Sequence, residues 1–367
     1  MKKLNLRFDA IDFLRIIAMF CVIFLHFVCM FDAPSWWAIY KIKSVYGAPA
    51  WSGVTIFFFV SAYLNVIGFI KGKYQFTFKG IMTFYKKRLL KILIDYYILL
   101  AILIPIFYRD IFTQDLYTFF RLIFCFYDGT THTMSLPFLG HLWFVSTIVQ
   151  FYIICPLIAF FVYKIKDRRT LLLILFFVVL AIGQAIKIPL IYYKVGWHKY
   201  IYTPVYSNLD FFICGALFYA YNRDRKNVDL CTQILSIVLF VGIIYCNCYF
   251  NKEYEFITQA AFPSFVILAS TFVLYSFPET PKKPYYYPSK ILGAISYHVY
   301  LLHPIIGPYI IGQFKNQSAP AVIGIIILTS LASFLAAGIW VNLKWATRKG
   351  FDAFSRHLAN KKQNEAH

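Results

Sequence analysis

Apolar runs of about 20 residues recur from one end of this chain to the other, and that is the length at which an α-helix crosses the hydrocarbon core of a bilayer. Inside that core every backbone N–H and C=O must be satisfied by the segment itself, which a helix achieves. Composition agrees. Hydrophobic residues make up 60% of the 367 and charged residues only 14%. A soluble domain carries about 25% charged residues, so an aqueous core of this size would lack a polar cover. The 40 Phe and 29 Tyr suit a surface that faces lipid and its interface. The expected fold is all-α, a polytopic integral membrane bundle of about ten transmembrane helices.

Spans are predicted at 12–30, 51–70, 92–108, 141–163, 170–190, 204–221, 230–250, 257–277, 291–314 and 321–341. The formal charge of +20 would suggest nucleic acid in a soluble protein, but here the basic residues lie between apolar runs. They report topology instead. Of the 36 Lys and Arg, 26 lie in the two tails and the even-numbered connections, and 8 lie in the alternate ones. By the positive-inside rule both termini are cytoplasmic, and the chain is multi-pass in the cell (inner or plasma) membrane. No nucleic-acid partner is implied. Residues 1–345 read as one membrane domain and 346–367 as a basic cytoplasmic tail, lying against anionic lipid or serving only as a topogenic signal.

The eight cysteines show neither paired metal spacing nor a disulfide framework, and they read as small buried hydrophobes. No metal site is expected. The connection 109–140 is too aromatic for a plain linker, and either lies at the interface or dips into the protein.

Charges inside a span are costly, so each is a functional candidate. The first span has the clearest pattern. Asp12 and Arg15, three apart, can pair on one helix face. Arg15 and His26 are eleven apart, just over three turns, so both face one neighbour roughly 16 Å apart along the axis. Taken alone, Arg15 is a snorkelling topogenic charge and His26 a satisfied core histidine; the shared stripe favours function. His303, about twelve residues into the ninth span, reaches nearly the depth of His26. His141, next to Trp143, reads equally well as an interfacial anchor. Lys187, Asn208 and Asp210 fall toward the outer half, as helix caps or interhelical hydrogen bonds. Asp95 is placed to pair with Lys91 at i,i+4.

Six segments, in order along essentially the whole chain, resemble the motifs of the acyltransferase family 3 of membrane proteins. They are Asp12-Phe13-Leu14-Arg15 with His26; Gly53-Val54 with Phe57-Phe58-Phe59-Val60-Ser61-Ala62-Tyr63-Leu64; Arg88-Leu89-Leu90-Lys91; His141-Leu142-Trp143-Phe144 with Tyr152 and Pro156; Phe211-Phe212 with Gly215; and Ser296-Tyr297 with Tyr300-Leu301-Leu302-His303-Pro304. Three positions depart from the pattern: Ala62 replaces a glycine, Lys91 an arginine, and Asp95 stands where proline is common. Lys91 turns a bidentate phosphate contact into a point charge.

The resemblance implies an acyl-CoA-dependent O-acetyltransferase acting at the bacterial cell surface. It would hold no resident cofactor and use acetyl-CoA, or another acyl-CoA, as co-substrate. The acceptor would be a surface polysaccharide or its lipid-linked sugar precursor. His26, Arg15 and Asp12 would be catalytic, Arg88 and Lys91 would bind the donor phosphates, and His141, Trp143, Tyr300 and His303 would bind substrate. His26 would serve as general base on a sugar hydroxyl or as an acyl relay; both remain open. The rival expectation is a transporter or flippase for a polysaccharide or lipid-linked sugar, against which stands the lack of an inverted repeat or paired broken helices.

Overall fold

A computed structural model describes residues 9–32, 49–130, 136, 138–193, 202–224, 228–250, 261–277 and 288–364. Among these there is no strand. Ten long helices carry the fold: α1 Ala10–Cys29, α2 Pro49–Ile70, α3 Phe78–Phe107, α4 Trp143–Ile165, α5 Arg169–Tyr192, α6 Leu209–Asn222, α7 Leu230–Phe250, α8 Phe262–Ser276, α9 Pro288–Ile311 and α10 Ala319–Asn364. Each overlaps one predicted span. Among the described residues, six helices are long and apolar enough to cross a membrane, and α8 and Leu230–Cys246 are shorter apolar helices.

Two helices outrun their predicted spans. α3 begins at Phe78, where the Thr77 side chain accepts from the Gly80 N–H, and not near residue 92. α10 runs unbroken for 46 residues, past the predicted start of the tail at 346. Hydropathy marks where lipid ends, not where a helix ends. Lys, Arg and Ala are good helix formers on either side of that boundary.

α2 is the central helix, packed against α1, α4, α6 and α8. Small residues permit the close approach. A Cβ on Gly215 of α6 would strike the Phe59 carbonyl, and one on Gly53 would strike that of Ala18. In lipid, where apolar burial does not by itself draw helices together, such van der Waals contact is a main source of cohesion. Aromatic rings fill the rest. Phe58 packs on Phe144 and Phe212 with centroids 5.1 and 4.7 Å apart, and Phe151 stacks on Phe212.

α1 and α9 meet along their length. Arg15 reaches Ser296 and His26 reaches His303, so residue numbers rise together and the two helices are parallel. The predicted shared stripe of Arg15 and His26 does face a single neighbour, and that neighbour is α9.

The described part of the connection after α3 folds back onto α3 and α4. Tyr96 and Tyr97 of α3 donate to the carbonyls of Leu122 and Ile123 at 2.7 and 2.8 Å, and Gln150 of α4 donates to that of Cys125 at 2.9 Å. The short helix Leu116–Ile123 buries Thr118 and Leu122 and exposes Tyr117 and Phe120. Arg121 closes the turn on Asp128 and donates to the Thr130 carbonyl at 3.1 Å. Burial pushes the Asp128 carboxyl up, but the bonds from Thr130 and Arg121 outweigh it and leave that carboxyl below its ordinary range.

The cysteines divide. Cys125, Cys155 and Cys214 are buried as expected, whereas Cys29, Cys231 and Cys246 are exposed on outward helix faces. A thiol is apolar enough for a lipid-facing surface, so a membrane span imposes no need to bury it.

Candidate active site

Three histidines from three helices meet at one level of the bundle. His26 lies in the last turn of α1, His303 lies mid-way along α9, and His141 sits in the 3₁₀ turn Gly140–Leu142 that opens α4. His26 Nδ1 and His303 Nε2 are 2.6 Å apart, with the rings nearly parallel at 9° and centroids 4.9 Å apart. His141 meets the His303 ring edge-on at 5.7 Å and the Tyr300 ring at 5.2 Å. The Tyr300 hydroxyl donates to the His141 carbonyl. His303 is fully buried and His141 nearly so, while His26 keeps some accessible surface. The His141 ring is buried against His303 and Tyr300. That burial puts the His141 side chain inside the bundle, facing the other two histidines.

A cavity of about 250 Å³ runs toward this cluster from the opposite end of the bundle. Phe57, Phe144 and Tyr300 line its apolar inner part. Arg15, Arg88, Lys91 and Lys344 line its other end, against the single carboxylate of Asp95. Arg15 Nη2 donates to Ser296 Oγ at 3.1 Å, and its Nη1 lies 3.6 Å from Asp12, the predicted i,i+3 partner. Arg88 Nη2 donates to the Leu64 carbonyl at 3.3 Å, but its Nε is buried with no partner among the described residues. The neighbouring Asn65 Oδ1 is likewise unpartnered. An unmet guanidinium N–H in a cationic pocket suits an anionic guest, while the Asn65 oxygen would take a donor group of that guest.

Asp95 does not pair with Lys91. Its carboxylate accepts from Lys344 Nζ at 2.7 and 2.8 Å and from the Trp340 indole N–H at 3.0 Å, with His298 Nε2 3.3 Å away. Lys91 shares the helix face of Asp95 and lines the same cavity, but α9 and α10 come down beside Asp95 and supply its partners instead. Trp340 and Lys344 are four apart, one above the other on a helix face. The sequence had assigned Lys344 only to topology.

Of the predicted site residues, the structure gathers His26, His141, Tyr300 and His303 at one end, and Arg15, Arg88 and Lys91 around the cavity. Asp12 backs Arg15 without lining the cavity. Trp143 also lies outside the cavity wall and packs on Tyr202, centroids 4.7 Å apart. Ser296, His298 and Lys344 line the cavity unpredicted; only the i,i+4 spacing of Trp340 and Lys344 hinted at the last.

Elsewhere, Lys187 of α5 and Asp210 of α6 form a buried ion pair at 2.8 Å, the interhelical alternative of the two expected. Lys187 also lies 3.8 Å above the Phe211 ring. Asn208 donates to the carbonyls of Tyr202 and Pro204 at 2.8 and 2.9 Å and secures the turn before α6.

A family model described as an acyltransferase domain, that of acyltransferase family 3, matches residues 8–340. The chain belongs to acyltransferase family 3. No curated protein and no solved structure matches it. The match takes in both the histidine cluster and all of the cavity wall except Lys344. Family 3 membership supports a membrane acyltransferase and gives no support to a transporter or flippase.

Proposed function

We propose that this family 3 acyltransferase moves an acyl group, in the simplest case acetyl, from cytoplasmic acyl-CoA to a sugar hydroxyl of a cell-surface polysaccharide or its lipid-linked precursor, in the cell membrane. One observation carries the proposal: a cavity with four cations at one end reaches, at its apolar end, Tyr300, whose ring packs against the buried histidine cluster. Acyl-CoA has the matching shape, anionic at its nucleotide and reactive at the tip of a thin arm.

Arg88, Lys91 and Arg15 hold the phosphates at the cavity mouth. The arm lies between Phe57, Phe144 and Tyr300, and the thioester stops at the histidines. The acceptor hydroxyl approaches His26, the accessible member of the cluster. His26 takes the hydroxyl proton as the oxygen attacks the thioester carbonyl. The new C–O bond forms, the C–S bond breaks, and the thiolate leaves with CoA and takes up a proton. Exclusion of water from the apolar arm channel protects the thioester from hydrolysis.

The test is transfer of labelled acetyl from acetyl-CoA to surface polysaccharide in cells lacking the wild-type copy, complemented by this chain. Transfer that needs the protein supports the proposal. Acetyl-CoA neither bound nor consumed by well-folded protein, in cells or in detergent, would overturn it.

A further inference from the structure

The nitrogen contacts of His303 decide which atom of His26 does the chemistry. His303 Nδ1 lies 3.2 Å from the Val299 carbonyl, and its Nε2 lies 2.6 Å from His26 Nδ1. A carbonyl oxygen only accepts, so the nitrogen facing it must carry the hydrogen. A neutral imidazole has one N–H donor and one acceptor nitrogen. With Nδ1 of His303 protonated, its Nε2 presents a lone pair, and the partner at 2.6 Å must donate. That partner is His26 Nδ1, which leaves the lone pair of His26 on Nε2.

We infer that His303 is a positioning residue: it anchors on Val299, holds the N–H of His26 on Nδ1, and thereby makes Nε2 of His26 the atom that takes the acceptor proton. The inference rests on the proposed acyl transfer, but it fixes a proton position that exists without substrate. The surroundings favour the assignment. His303 is fully buried and cannot meet an acceptor, whereas His26 keeps accessible surface. The near-parallel rings keep the bond in plane. When His26 gains its second proton on Nε2, the Nδ1–H bond to His303 persists and strengthens as a charge-assisted bond. The proton leaves the acceptor oxygen, that oxygen bonds to the acyl carbon, and the sulfur departs with the former C–S pair. His303 neither gains nor loses a proton in the step. Its role is that of the orienting third group in a hydrolase triad, built here from a second imidazole and a backbone carbonyl.

Nitrogen-15 NMR of histidine-labelled protein in detergent at neutral pH tests this directly. In the wild type, His26 should give a protonated Nδ1 and an unprotonated Nε2, with the resonance assigned by its loss in His26→Gln. In His303→Leu the fixed tautomer should give way to a mixture, and kcat should fall about 10²-fold or more with donor KM little changed. His303→Gln, whose carbonyl can accept from His26 Nδ1, should recover most of that loss. Protonation of Nε2 in the wild type, or full kcat in a folded His303→Leu protein, overturns the assignment. If the wild type transfers no acetyl at all, the functional proposal falls. The nitrogen spectrum of the same sample still decides the tautomer.

Discussion

At the residue scale, the proposed mechanism puts the chemistry on His26 and the donor phosphates on Arg88. His26→Gln keeps much of the size and some hydrogen bonding but can accept no proton at a ring nitrogen. A general base contributes about 10²–10⁴-fold, so acetyl transfer should fall close to background with membrane levels matched by blot. Full activity in a well-expressed His26→Gln protein would sink the proposed mechanism. Arg88 sits at the far end of the cavity from the histidines, so its contact with the donor is the same in ground and transition states. Arg88→Ala should raise the acetyl-CoA dissociation constant, by about tenfold for a lost charge-assisted contact of about 1.5 kcal/mol, and leave bound-state turnover nearly unchanged. Isothermal titration against single-turnover kinetics separates the two. The stripe of Arg15 and His26 was legible in the sequence because eleven residues come close to three helical turns. The contact of His26 with His303 was not, since 277 residues part them and only a similar depth linked them. Lys344 was hidden because a lysine past the end of a span looks like any topogenic charge.

At the element scale, two buried carboxylates hold helices together by different means. Asp95 ties α3 to α10 through Lys344 and Trp340, and so sets where a cationic side chain stands in the cavity wall. Asp95→Leu should loosen that wall. Donor KM is expected to rise severalfold while kcat changes less, and thermal stability should drop by about 1.5–3 kcal/mol for the lost charged hydrogen bonds. Unchanged donor KM would mean that Lys344 takes no part in binding. Lys187 and Asp210 join α5 to α6 and line no part of the cavity. Lys187→Met leaves a buried carboxylate alone and should cost about 3–5 kcal/mol, whereas the double variant Lys187→Met, Asp210→Leu should recover most of it. Thermal unfolding in detergent checks both. The sequence marked these residues as costly, but it could not say which helix would supply a partner, because helix neighbours follow from packing and not from spacing. Helix ends were missed for the opposite reason. In α3 and α10 the helical pattern outlives the apolar one.

At the scale of the whole molecule, the basic residues and the parallel course of α1 and α9 agree. Helices one and nine of an alternating bundle must enter from the same side, and the pairs Arg15–Ser296 and His26–His303 require it. Reporter fusions should therefore place both termini in the cytoplasm; an external signal from a fusion after His367 would reverse the orientation. The same pairing has a consequence for synthesis. Ribosomes add roughly 5–20 residues per second, so α1 enters the membrane tens of seconds before the chain that carries His303 is made. Through that interval His26 and Arg15 lie in lipid or against a translocon without Ser296 or His303 beside them. The histidine cluster can close only when α9 docks, so a chain cut short before residue 303 leaves the ribosome without it. The proposed site thus waits on the last part of the chain to be made, its first helix on its ninth and its cavity wall on its tenth.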